Sequence, residues 1–127
     1  MVKNKALEEN EKRWLDTILS QRFFYREEVI RQINGSEISR NYTDFYLSLK
    51  FKIDKLMMPI GTNTRIPVEM VVYRPEKAPV QFLLHMINGY ISELEIFNAD
   101  SSKINKDEIL TRGNVEILVN EQLKLKT

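Results

Sequence analysis

The chain contains no cysteine. Thiolate catalysis, iron–sulfur clusters, cysteine-based zinc sites and structural disulfides are thereby excluded. Histidine occurs once and tryptophan once, and there are four glycines and four prolines in 127 residues. The sequence therefore has no glycine-rich phosphate cradle and no histidine cluster for a metal. No stretch reaches the roughly 20 apolar residues that span a bilayer. The charged opening MVKNKALEENEKRW does not read as a signal peptide, so the expectation is a cytoplasmic protein with no membrane partner. An excess of charge of one sign is also missing, since nineteen basic residues face eighteen acidic ones. With the basic residues dispersed, nucleic acid is not an expected partner.

What is present is a change of hydrophobic period. Leu7, Trp14, Leu15, Ile18 and Leu19 form the apolar stripe of an amphipathic helix, and Tyr25, Val29, Ile30 and Ile33 continue it beyond Phe23-Phe24. Residues 6 to 34 read as two helices or one bent helix, stopped at Asn34-Gly35. From Phe45 the period becomes two. Phe45, Leu47, Leu49, Phe51 and Ile53 alternate with Tyr46, Ser48, Lys50 and Lys52, and Ile66, Val68, Met70 and Val72 alternate with Pro67, Glu69, Val71 and Tyr73. Pro67 has no ladder donor, which suggests an edge strand or one paired at first on a single side. Further strands are expected over residues 80–86 and 90–97, and residues 114–120 read as a strand in preference to a short helix.

Asn88-Gly89 joins the third and fourth strands. A two-residue turn carried through in simple register would set Phe82 against Glu95 and Leu84 against Glu93. A three-residue loop, Ile87 to Gly89, pairs Met86 with Tyr90, Leu84 with Ser92, Phe82 with Leu94 and Val80 with Ile96, which keeps one face apolar and is the register expected. Gln81, Leu83 and His85 then share the opposite face with Ile91, Glu93 and Glu95. The expectation is one α+β domain over residues 1–127, in two layers, with N-terminal helices packed on one face of a mainly antiparallel sheet of four to five strands.

Candidate functional groups gather on the sheet face away from the helices. His85 beside Glu93 or Glu95 has the makings of a carboxylate-oriented base, but no nucleophile or oxyanion device accompanies it in the sequence. Glu93 and Glu95 also suit ordinary cross-strand pairing with lysine. NADSS at 98–102 has one carboxylate, Asp100, too few for a calcium loop. Met57-Met58-Pro59 suits either an adaptable contact or satellite core. Two Asn-X-Ser/Thr triplets, at Asn34 and Asn41, are read as chance matches. No cofactor and no metal is expected.

RIPVEM at 65–70 followed by FLLHMINGYISELEIFNADSSKI at 82–104 resembles a group of small, largely uncharacterised bacterial proteins common in Bacillus-like organisms. Their shared pattern is an arginine/valine-proline-valine-glutamate strand, then a leucine-leucine-histidine strand, a glycine turn and a leucine-glutamate-isoleucine strand ending in aspartate. Arg65, Pro67, Glu69, His85, Gly89, Glu93, Glu95 and Asp100 occupy the matching positions. The resemblance implies a bacterial cytoplasmic setting and no particular chemistry.

The expected function is therefore a non-catalytic protein-binding module. Its surface comprises Tyr46, Lys50, Glu69, Tyr73, His85, Glu93 and Glu95, and its partner is another protein, of which a toxin bound by an immunity-type inhibitor is one form. Two alternatives stay open. One is a small-ligand or enzymatic site around His85; the other is a homodimer formed through the sheet face or an edge strand.

Overall fold

The structure, a computed structural model, describes residues 1–54, 56–109 and 114–126. Helix α1 covers Glu9–Ile18 and helix α2 covers Arg26–Asn34. Tyr25, at φ 72°, turns the chain between them, so the continuous apolar stripe resolves into two helices. Each helix turns its apolar residues inward: Trp14, Leu15 and Ile18 from α1, Val29, Ile30 and Ile33 from α2. Gly35 closes α2 with its N–H on the carbonyl of Arg31.

Six strands follow: β1 (Glu37–Tyr42), β2 (Leu47–Lys52), β3 (Val68–Arg74), β4 (Lys77–Ile87), β5 (Tyr90–Asn98) and β6 (Asn114–Val119). They form one antiparallel sheet in the order β1-β2-β5-β4-β3-β6. The fold is the expected α+β arrangement, with six strands in place of four to five. The helices cover the face that carries Leu49, Met70, Phe82, Leu84, Leu94 and Ile96, all fully buried. Trp14 meets Phe82 edge-on, with ring centroids 6.1 Å apart. No helix of the described residues is long and apolar enough to cross a membrane.

Three expectations are corrected. First, β3 is an interior strand, paired with β4 on one side and β6 on the other. Pro67 lies just ahead of it and accepts from the N–H of Asn120, so its missing donor falls outside the ladder. Second, residues 37–42, which the hydrophobic pattern left unassigned, form β1.

Third, the β4–β5 hairpin adopts neither simple register. Asn88 and Gly89 both have positive φ, 52° and 83°, as a type I′ turn requires, and Ile87 lies opposite Tyr90. Met86 faces Ile91, but His85 faces Glu93, so Ser92 is an extra residue in β5. This bulge restores Leu84 to Leu94 and Phe82 to Ile96. A tight turn and an apolar inner face are thus reconciled by moving the bulge two residues into the strand. The consequence is that Ile91 joins the core, 1% exposed, instead of the polar face.

The irregularity left by the bulge is closed from α2. The fully buried Gln32 side chain accepts the N–H of Ile91 at 2.8 Å and donates to the carbonyl of Gly89 at 3.0 Å. The loop after β2 completes the seat, since Ile60 N–H donates to the same Gly89 carbonyl at 2.7 Å. A Cβ at Gly89 would lie 2.6 Å from Ile60 O and 2.8 Å from Pro59 Cβ, so both the dihedral and the space demand glycine.

Candidate functional site

The outer face of the sheet, opposite the helices, receives alternate residues of every strand. The ladders order them in rows. Lys50 faces Glu93, which faces His85. The next row runs Ser48, Glu95, Leu83, Glu69, Leu118. Beyond it lie Phe97, Gln81, Val71 and Glu116. The chemistry is therefore asymmetric: polar and ionisable groups gather over β2, β5 and β4, while a half-buried apolar strip of Leu83, Val71 and Phe97 leads to Leu118, 44% exposed, on β6.

Of the residues expected to form a surface, Tyr46, Lys50, His85, Glu93 and Glu95 are brought together. Tyr46 Oη donates to Glu93 Oε2 at 2.7 Å, and Ser48 Oγ donates to the same oxygen. Burial would raise the Glu93 pKa, but those two hydrogen bonds, together with His85 and Lys50 nearby, hold the carboxyl below the usual carboxylate range. His85 lies opposite Glu93 in the ladder, yet its Nε2 meets Glu95 Oε1 at 2.9 Å. Each glutamate thus has its own partner. Glu69 and Tyr73 lie apart on β3, Glu69 between Leu83 and Leu118, and Tyr73 donating to Glu116 at 3.0 Å.

Ser48 was legible as an outward residue from alternation, but not its complete burial beneath Tyr46 and Glu93. Phe97 and Leu118 complete the apolar strip through the register of β5 and β6, which one strand's pattern alone does not reveal.

The face is open. Three clefts lie elsewhere: one of about 820 Å³ at the end of the sheet by Tyr42, Arg74, Asn98 and Lys103, one beside Phe51, Ile53 and Tyr90, and one along β6. None of these is lined by His85, Glu93 or Glu95. In the first cleft the NADSS segment is bonded to itself and to Arg74 and Lys103. Asn98 donates to Lys103 O at 2.7 Å and accepts from Arg74 at 3.0 Å, and Asp100 accepts from both the N–H and the hydroxyl of Ser102. Those oxygens serve a turn. No group of three or more histidine, aspartate or glutamate side chains among the described residues is arranged to hold a metal.

A second ionic cluster, on the helix side, was not anticipated. Glu11 of α1 is fully buried and receives Arg40 Nε and Nη2, each at 2.6 Å, Tyr42 Oη at 2.6 Å and the N–H of Glu8 at 2.8 Å. Burial opposes its ionisation, yet the hydrogen bonds from Arg40, Tyr42 and Glu8 prevail and its pKa is lowered. The Glu11 partnership raises the pKa of Arg40, and burial together with Glu11 raises that of Tyr42. The cluster fastens α1 to β1.

The comparisons add no relative: no protein-family model, no curated protein and no solved structure matches this chain.

Proposed function

We propose that the protein is a non-catalytic protein-binding module acting in the cytoplasm, with the outer sheet face as its contact surface and inhibition of a toxin, in the manner of an immunity protein, as its most specific form. The observation that carries this reading is the pairing, on one open face, of a half-buried apolar strip with charged groups already fixed in place. Fixed side chains lose little further freedom on docking, and an apolar strip bordered by polar groups suits a protein partner. Tyr46, Lys50, His85, Glu93 and Glu95 supply the polar part of the contact, Leu83, Val71 and Leu118 the apolar part, with Glu69 set between Leu83 and Leu118 and Tyr73 beyond Val71 on β3.

The test is capture of a stoichiometric partner from the native host by the wild-type protein, repeated with His85→Ala, Glu93→Ala and Leu83→Ser. Loss of the partner in both a polar and the apolar variant is expected. No stoichiometric partner, or one that survives all three substitutions, overturns the reading.

A small-ligand or enzymatic site is the second reading, favoured by the 2.9 Å contact between His85 and Glu95 beside a second, separately held carboxylate. It requires a ligand that shifts the His85 ring resonances in NMR. A screen that moves none of them counts against it.

A further inference from the structure

The two edges of the sheet are unlike. β1, at one end, reads EISRNY and sets charged or polar groups at Glu37, Ser39, Arg40 and Asn41. Such residues discourage strand addition. β6, at the other end, reads NVEILV and has a single charge, Glu116. Val115 and Leu118 are 38% and 44% exposed.

The free hydrogen-bonding groups of β6 follow from its pairing with β3. Asn120 lies opposite Pro67 in the same register and donates to it, so Asn120, and by alternation Leu118, Glu116 and Asn114, direct their backbone groups to β3. Val115, Ile117 and Val119 direct theirs outward, where no strand of the described residues receives them. The edge is a template of three donors and three acceptors.

Beside the Val119 end lies a groove of about 560 Å³ lined by Gln21, Arg22, Ile117, Leu118, Val119, Lys124, Leu125 and Lys126. Its charged residues are all cations. An occupant must therefore bring an extended backbone, apolar side chains and negative charge. The other end of β6 meets that description.

We propose that β6 pairs antiparallel with β6 of a second copy, about a two-fold axis at Ile117, to give a continuous sheet across the dimer. A symmetric pairing of these outward backbone groups can centre on any residue from Val115 to Val119, and of these centres only Ile117 engages all three residues within β6. In that register Ile117 meets Ile117 of the second copy and Val115 meets Val119, β-branched against β-branched on the helix side. On the outer face Glu116 stands opposite Leu118, at the basic groove of the other copy, and no carboxylate faces a carboxylate. The same contact occurs twice by symmetry. This interface shares Leu118 with the binding face proposed above, and it would place two such faces side by side.

Sedimentation equilibrium of the full chain over a concentration series tests the inference, with circular dichroism to verify that each variant is folded. A reversible dimer is expected for the wild type. Leu118→Glu puts carboxylates opposite one another at two places, and its association constant is expected to fall by about tenfold or more. Glu116→Lys, which brings a cation to the basic groove, weakens association likewise. The double variant Glu116→Lys/Leu118→Glu again sets opposite charges face to face and recovers much of the loss. A monomer at every concentration overturns the proposal, as does a dimer indifferent to both single variants. A double variant as weak as Leu118→Glu overturns the register.

Discussion

Replacing Arg40 by methionine should expose the energetic logic of the cluster that joins α1 to β1. The substitution keeps much of the apolar stem and removes both guanidinium hydrogen bonds from Glu11, whose side chain is fully buried. Tyr42 and the Glu8 N–H still reach the carboxylate, but no cation does. Stranding one partner of a buried pair costs about 3–5 kcal/mol. The carboxyl can escape by taking a proton, which at pH 7, against an ordinary pKa of about 4.3, adds at most about 4 kcal/mol to the cost of the missing hydrogen bonds. The expected loss of unfolding free energy at pH 7 is thus about 3–5 kcal/mol.

The pH dependence follows from opposite signs in the two proteins. In the wild type the Glu11 pKa is lowered by folding, so its contribution is present above the unfolded value and is lost as pH falls through the folded one. In Arg40→Met the folded pKa is expected to rise above the unfolded value, so the penalty grows with pH. At pH 4.5 protonation is nearly free, and the difference between the proteins should shrink to about 1–2 kcal/mol, the worth of the missing hydrogen bonds. Urea denaturation at both pH values measures this. An equal loss at pH 7 and 4.5 would refute the electrostatic account and leave Arg40 a packing residue. The triple variant Glu11→Leu/Arg40→Met/Tyr42→Phe, which removes every charged or hydroxyl member, should fall within about 1 kcal/mol of wild type or exceed it.

Three further outcomes are expected. Gln32→Leu leaves the Ile91 N–H without its acceptor, costs about 1–3 kcal/mol and should accelerate hydrogen exchange at that amide above all others in β5. Gly89→Ala meets both a positive φ and the carbonyl of Ile60, and should lower stability by more than about 2 kcal/mol, whereas Asn88→Gly, at the neighbouring position of the turn, should change it by less than about 1 kcal/mol. In a carbon-detected NMR titration Glu93 should lose its charge below the ordinary glutamate range, and its stabilisation, present above an unfolded pKa of about 4.3, should be lost as pH falls through that lower value; Ser48→Ala should move the midpoint upward.

The sequence by itself determined the two layers. Helical spacing from Trp14 to Ile33 and alternation from Leu47 to Phe97 choose most of the side chains that are buried, Ile91, which the expected register put on the outer face, and the exposed Tyr25 being exceptions. Alternation likewise put His85, Glu93 and Glu95 on the outer face. Local chemistry suits Asn88-Gly89 to a two-residue turn, because few other residues accept positive φ twice in succession, but the hydrophobic register had pointed to a three-residue loop.

Tertiary structure decided what depends on a second segment. The bulge at Ser92 is tolerated because Gln32, 59 residues before Ile91, takes up its N–H, and no window of sequence contains both. β1 escaped the alternating pattern because its inward position 40 carries arginine, and that arginine is at home there only because α1 supplies Glu11. The same holds on the outer face: the glutamate next to His85 in the ladder was already engaged by Tyr46 and Ser48, so the histidine pairs with Glu95. Hydrophobic period is a property of one segment and can be read along the chain, whereas the partner of a buried polar group is a property of two segments and exists only once folding has brought them together.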